Sequence, residues 1–139
     1  MPAYAGMTER KHMRILVIDN DININGLIKS VLSMEKTFQV DFALSGKDGL
    51  KKLKAEKYDV ALVDLTMPEV SGFDICKFMT ADEELKHVPV IIISAMPVKS
   101  KDFQAEHGNF QNLPVVKGLI EKPFDVHEML DMIKKVTGK

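Results

Sequence analysis

Arg14-Ile15-Leu16-Val17-Ile18-Asp19-Asn20-Asp21 holds an unbroken apolar run, Ile15 to Ile18, that stops at three polar residues. A short run of this kind, rich in β-branched side chains, reads as a strand buried on both faces, as in parallel sheets covered by helices. Beyond Asp21 the period becomes helical. Ile24, Leu27, Ile28, Val31 and Leu32 recur at three- and four-residue spacing and predict one inward stripe.

The cycle repeats along the chain. Phe38 to Phe42 alternates as a second strand, and Gly46 to Lys57 reads as a lysine-rich helix with Leu50 and Leu53 inward. Tyr58 to Val63 is a third strand ending at Asp64; a loop with Pro68 and Gly72 follows, then a helix over Phe73 to Thr80. Pro89 to Ile93 is the fourth strand, ending at Ser94. The turn-rich stretch Glu106 to Pro114 reads as a long loop between a fourth helix and a fifth strand over Val115 to Ile120, which ends near Lys122-Pro123. Asp125 caps a last helix with Val126, Met129, Leu130, Ile133 and Val136 on one face. Alternation of this kind predicts an α/β fold: a doubly wound, five-stranded parallel sheet with helices on both faces. Met1 to His12 lacks periodicity and reads as a flexible leader, leaving residues 13–139 as one domain.

Composition narrows the function classes. At 139 residues, 45% hydrophobic and 28% charged, the chain has room for one core and little else. Net charge is −1, and the arginines are Arg10 and Arg14, so direct nucleic-acid recognition is disfavoured. The run from Val88 to Ala95 is too short for a bilayer span, and the leader has no signal-peptide core; a cytoplasmic protein is expected. Cys76 cannot form an internal disulfide and reads as a buried, inert thiol. His12, His87, His107 and His127 lack metal-ligand spacing, and the lysines from Lys47 to Lys57 read as a solvated face. The methionines read as core filler.

Ligands of open α/β sheets sit beyond the carboxyl ends of the strands. Asp19, Asp64, Ser94 and Lys122 all fall at such ends. A carboxylate pair with the Asn20 amide is an all-oxygen set suited to magnesium, while a lysine and a hydroxyl suit phosphoryl oxygens. An aspartate can itself accept a phosphoryl group as an acyl phosphate.

Ile15 to Asp21, Asp64-Leu65-Thr66-Met67-Pro68-Glu69-Val70-Ser71-Gly72, Ser94-Ala95 and Lys122-Pro123-Phe124 together resemble the receiver domain of bacterial two-component response regulators, from about Met13 to Val136. The resemblance implies a flavodoxin-like receiver fold and a signalling switch rather than an enzyme. By position it makes Asp64 the phosphoacceptor, with Ser94 and Lys122 on the bound phosphoryl group. Asp19, Asn20, Asp64 and the main-chain carbonyl of Thr66 would hold Mg2+. The implied donor is a sensor histidine kinase or a histidine phosphotransfer protein, and the implied output is a downstream protein target. With no output domain after it, the chain reads as a stand-alone switch or as a receiver cut from a longer regulator.

Three departures qualify the resemblance. Asn20 stands where the family has a second acid, which removes one charge from the metal site. Leu119 stands where the family has an aromatic switch residue, and the stretch from Ser94 to Lys122 is longer than usual. A phosphorylation-independent pseudo-receiver is therefore the alternative. More remote is a haloacid-dehalogenase-type phosphatase with Asp19 as nucleophile. Met96 and Thr66, each two residues beyond a site residue, would flank the path of hydrolytic water.

Overall fold

The computed structural model describes residues 13–97, 100–102, 105 and 113–138. Five parallel strands, β1 (Met13–Ile18), β2 (Phe38–Ala43), β3 (Val60–Asp64), β4 (Val90–Ser94) and β5 (Val116–Glu121), pair in the order β2-β1-β3-β4-β5. The described helices are α1 (Ile22–Leu32), α2 (Gly46–Ala55), α3 (Gly72–Ala81) and α4 (Val126–Thr137), with a 3-10 turn over Leu85–His87. The expected doubly wound α/β sheet is present.

Strand alternation sorts the core into two halves. Leu16, Ile18, Ala61, Val63 and Ile92 pack with Leu53 of α2 and Ile75, Cys76 and Met79 of α3. Ile15, Val17, Leu62, Ile91 and Ile93 pack on the other face with Ile28 and Leu32 of α1 and Met129 and Ile133 of α4. Central strands covered twice must be apolar at every position, which is why β1, β3 and β4 read as continuous runs. Cys76 is fully buried and its thiol is pushed up to about 12 by that burial, as an inert core residue should be.

The sequence reading is wrong in places. Leu27 was expected inward, yet it is half exposed, and the inward face of α1 runs through Asn25, Ile28 and Leu32. Capping explains the phase: the Asp21 carboxylate accepts the N–H groups of Asn23 (2.9 Å) and Ile24 (3.4 Å), which starts the helix at Ile22 and turns Leu27 outward. α2 stops at Ala55 rather than Lys57. Met34 is 82% exposed, an exception to methionine as core filler. The leader, His12, His107 and residues 106–112 of the predicted long loop lie outside the described residues.

At the amino ends of the strands an ionic clamp joins three of them. The Arg14 guanidinium bonds the carboxylates of Asp41 (3.0 Å) and Glu56 (2.8 Å) and lies 4.9 Å from the centroid of the Tyr58 ring. The Tyr58 hydroxyl donates to Asp41 at 2.7 Å, and the Arg14 N–H donates to Asp59 at 2.8 Å. Burial and the bond to Asp41 raise the Tyr58 phenol above its ordinary range.

At the opposite ends, the loop from β3 to α3 turns sharply. Glu69 has φ 67°, with the Val70 N–H bonded to the Pro68 carbonyl across it at 2.8 Å. Gly72 admits the close approach that ends the loop, since a Cβ there would lie 2.5 Å from the Asp64 carbonyl oxygen. Left-handed backbone costs a non-glycine residue about 1–2 kcal/mol, against about 0.5–1 kcal/mol for the extra freedom glycine brings to the unfolded chain. Glu69→Gly should therefore raise stability by about 0.5–1 kcal/mol. A urea midpoint that falls, at unchanged m-value, would refute this account of the turn.

Candidate functional site

The strand order reverses between β1 and β3, and at that switch point the two strands end side by side. Ile18 pairs with Val63, so Asp19 and Asp64 are the next residues beyond the last paired positions. β4 continues the row, with Asp64 opposite Ile93, and β5 completes it through the Lys122 N–H, which donates to the Ser94 carbonyl at 2.7 Å. Parallel register thus gathers residues from four distant parts of the sequence.

Lys122 draws them together. Its Nζ lies 3.0 Å from Asp19 Oδ2 and 3.9 Å from Asp64 Oδ1. Asp19 is fully buried, Asp64 is 5% exposed and Ser94 is fully buried. The Lys122–Pro123 peptide is cis. The other Asp19 oxygen accepts the Asp21 N–H at 2.9 Å. Burial and the nearby Asp19 charge push the Asp64 carboxyl up to about 6, opposed by the Lys122 ammonium and the Thr66 N–H.

Ser94 bonds the loop that follows it. Its Oγ accepts the Met96 N–H at 2.9 Å, so the hydroxyl is held against the following loop. Met96 and Leu119 are half-buried and pack on the same core half as Ile92. Ala95, Thr66 and Asn20 are exposed at the mouth of the crevice.

A hard cation fits this donor set. Among the described residues no cluster of three or more His, Cys, Asp or Glu side chains stands ready to bind a metal. A magnesium ion would therefore draw on the Asp19 and Asp64 carboxylates, the Asn20 amide oxygen and the Thr66 carbonyl. A buried carboxylate whose proton affinity is raised by burial and by a neighbouring carboxylate is the kind of group a cation relieves.

Sequence reasoning did not single out Asn25. This residue is 4% exposed on α1, and its Nδ2 donates to the Asp19 main-chain carbonyl at 2.8 Å. Its signal was its spacing: Asn25 lies three residues before Ile28 and seven before Leu32, an inward position occupied by an amide. A cavity of about 580 Å3, lined in part by Leu53, Glu56, Tyr58 and His87, lies at the other end of the sheet and contains none of the strand-end residues.

Comparison with known proteins agrees with this geometry. Residues 15–134 match the response regulator receiver domain family. Chemotaxis protein CheY-3 of Vibrio cholerae is 30% identical over 126 residues, 91% of this chain and 92% of that protein. Polar-differentiation response regulator DivK of Brucella ovis is 28% identical over 89% of this chain and 94% of its own length. The receiver domain protein (CheY-like) of Methanospirillum hungatei JF-1 superposes with a TM-score of 0.77 at 23% identity, covering 91% of this chain and 94% of that one. The chain belongs to the response regulator receiver domain family, whose members are phosphoryl-accepting switches of two-component signalling. Neither the pseudo-receiver nor the phosphatase reading is favoured. No helix among the described residues is long and apolar enough to cross a membrane.

A carboxyl raised in the folded state binds protons there that the unfolded chain has already released. Stability must then fall as pH rises from about 4 to about 6, where folded Asp64 ionises. Asp64→Asn removes that burden. In chelator, the variant should match the wild type near pH 4 and exceed it in stability at pH 7. Urea midpoints across this range that stay parallel would contradict the shift.

Proposed function

We propose that Asp64 is the phosphoacceptor of this receiver. The observation that carries the reading is the placement of its nearly buried carboxylate at the end of β3, with the Lys122 ammonium 3.9 Å away and Asp19 sharing that ammonium. A carboxylate oxygen of Asp64 attacks the phosphorus of a phosphohistidine; the P–N bond breaks and the imidazole leaves with a proton. The product is an acyl phosphate, and Lys122 is placed to neutralise one of its oxygens. Held by Asp19, Asn20, Asp64 and the Thr66 carbonyl, Mg2+ would supply charge neutralisation.

Ser94 links uptake to shape. To reach a phosphoryl oxygen its hydroxyl must give up the Met96 N–H, which frees the backbone just beyond β4. Leu119, packed against the same core half as Met96, would follow by repacking, since it has no ring to rotate. The implied partners are a sensor histidine kinase or a phosphotransfer protein upstream and a protein target downstream. We read the chain as a cytoplasmic switch with no turnover of its own, comprising a leader over residues 1–12 and a receiver over 13–139, with no direct nucleic-acid or membrane contact.

Intact mass after incubation with acetyl phosphate and Mg2+ tests the acceptor. Wild type should gain one phosphoryl mass and Asp64→Asn none; a gain that persists in the variant would move the acceptor to another residue. Met96 tests the lifetime. An apolar side chain beside the site should slow attack by water, so the phospho-form should last minutes or longer, and Met96→Asn should shorten it by on the order of tenfold, roughly a 1.4 kcal/mol change in barrier. A wild-type half-life of seconds would rule this out.

A further inference from the structure

From the geometry of α1 we infer that Asn25 is a positioning residue for the metal side of the site, an inference that rests on the reading of Asp19 and Asn20 as Mg2+ ligands. Asn25 is in the second turn of α1 and 4% exposed. Its Nδ2 reaches back six residues to the carbonyl of Asp19 at 2.8 Å. That carbonyl belongs to the peptide unit joining Asp19 to Asn20. Fixing its plane fixes where the Asn20 side chain begins. Other bonds of the segment set Asp19 itself and the start of the helix: the Asp21 N–H and Lys122 Nζ on the Asp19 carboxylate, the Asp19 N–H on the Ala43 carbonyl, and the Asn23 and Ile24 N–H groups on the Asp21 carboxylate. Asn25 alone among these holds the peptide between the two metal-side residues.

The remaining amide atom shows that packing does not account for the residue. Asn25 Oδ1 is buried and accepts no hydrogen bond from the described residues. An unpaired buried acceptor is unfavourable, and an apolar side chain would occupy the position without one. Flipping the amide gives no relief, because Oδ1 would then face the Asp19 carbonyl, acceptor against acceptor. The orientation is therefore settled by chemistry, and the tether to Asp19 is the one contact for which an amide is required. The tether matters more here because Asn20 brings a neutral oxygen where a carboxylate would be drawn to the cation by charge. A weak ligand must be pre-aimed, since it has little Coulombic attraction to reorient it.

The test compares Asn25→Leu and the smaller Asn25→Ala with wild type, with Ile28→Val as a packing control one turn further along α1. Folded fraction is fixed by urea titration, and Mg2+ affinity is measured by calorimetry, independently of phosphorylation. Both Asn25 variants should weaken Mg2+ binding on the order of tenfold, the scale on which groups orienting metal ligands act, while Ile28→Val leaves it unchanged. Unchanged affinity in the Asn25 variants, or an equal loss in Ile28→Val, overturns the inference and leaves the acceptor assignment standing. A wild type that binds Mg2+ but gains no phosphoryl mass overturns the acceptor assignment alone, and Asn25 is then judged on affinity. A wild type that binds no Mg2+ removes both.

Discussion

Two carboxylates and one ammonium share a crevice from which water is largely excluded, and the architecture exists around that arrangement. The Lys122 ammonium lies 3.0 Å from Asp19 and 3.9 Å from Asp64 and offsets part of the repulsion that raises the Asp64 carboxyl. Each comes from a different strand, and the lysine follows the last. A doubly wound sheet is an economical way to bring three such residues into register, since its strand ends line up on one side and its order reverses where the acids meet. The Asp64 carboxyl, pushed up to about 6, registers the strain that remains.

Around that charged centre the chain departs from its family in a consistent direction. Asn20 is a neutral amide at the mouth of the crevice, and Met96 and Leu119 are half-buried against the core half that holds Ile92. A neutral amide offers a cation an oxygen without a charge. The Ser94 hydroxyl is engaged by the Met96 N–H just beyond β4.

Much of this was legible in the sequence because parallel strands covered on both faces leave a loud signal. β1, β3 and β4 read as unbroken apolar runs, and each stops within a residue of a site side chain. What was not legible depended on phase and on distant partners. Leu27 fits a helical stripe as well as Ile28 does, and only the cap formed by Asp21 decides which of them turns inward. Asn25 was not singled out, since a polar residue in an apolar pattern is ordinarily outward. The left-handed turn at Glu69 carries no residue that announces it. The cluster of Arg14, Asp41, Glu56 and Tyr58 joins residues far apart in sequence, which no local pattern reveals.

That cluster divides the molecule into two ends with different freedoms. Arg14 ties β1 to the edge strand β2 and to the close of α2, at the end of the sheet farthest from the charged crevice. Elements clamped at one end behave like the tines of a fork: their free ends can shift while the root keeps them in order. Loops beyond the carboxyl ends can then lengthen, shorten or exchange residues through evolution without unthreading the sheet. The root is held partly by exposed ion pairs, which salt screens. High ionic strength should consequently loosen the handle of the fork before it disturbs the points.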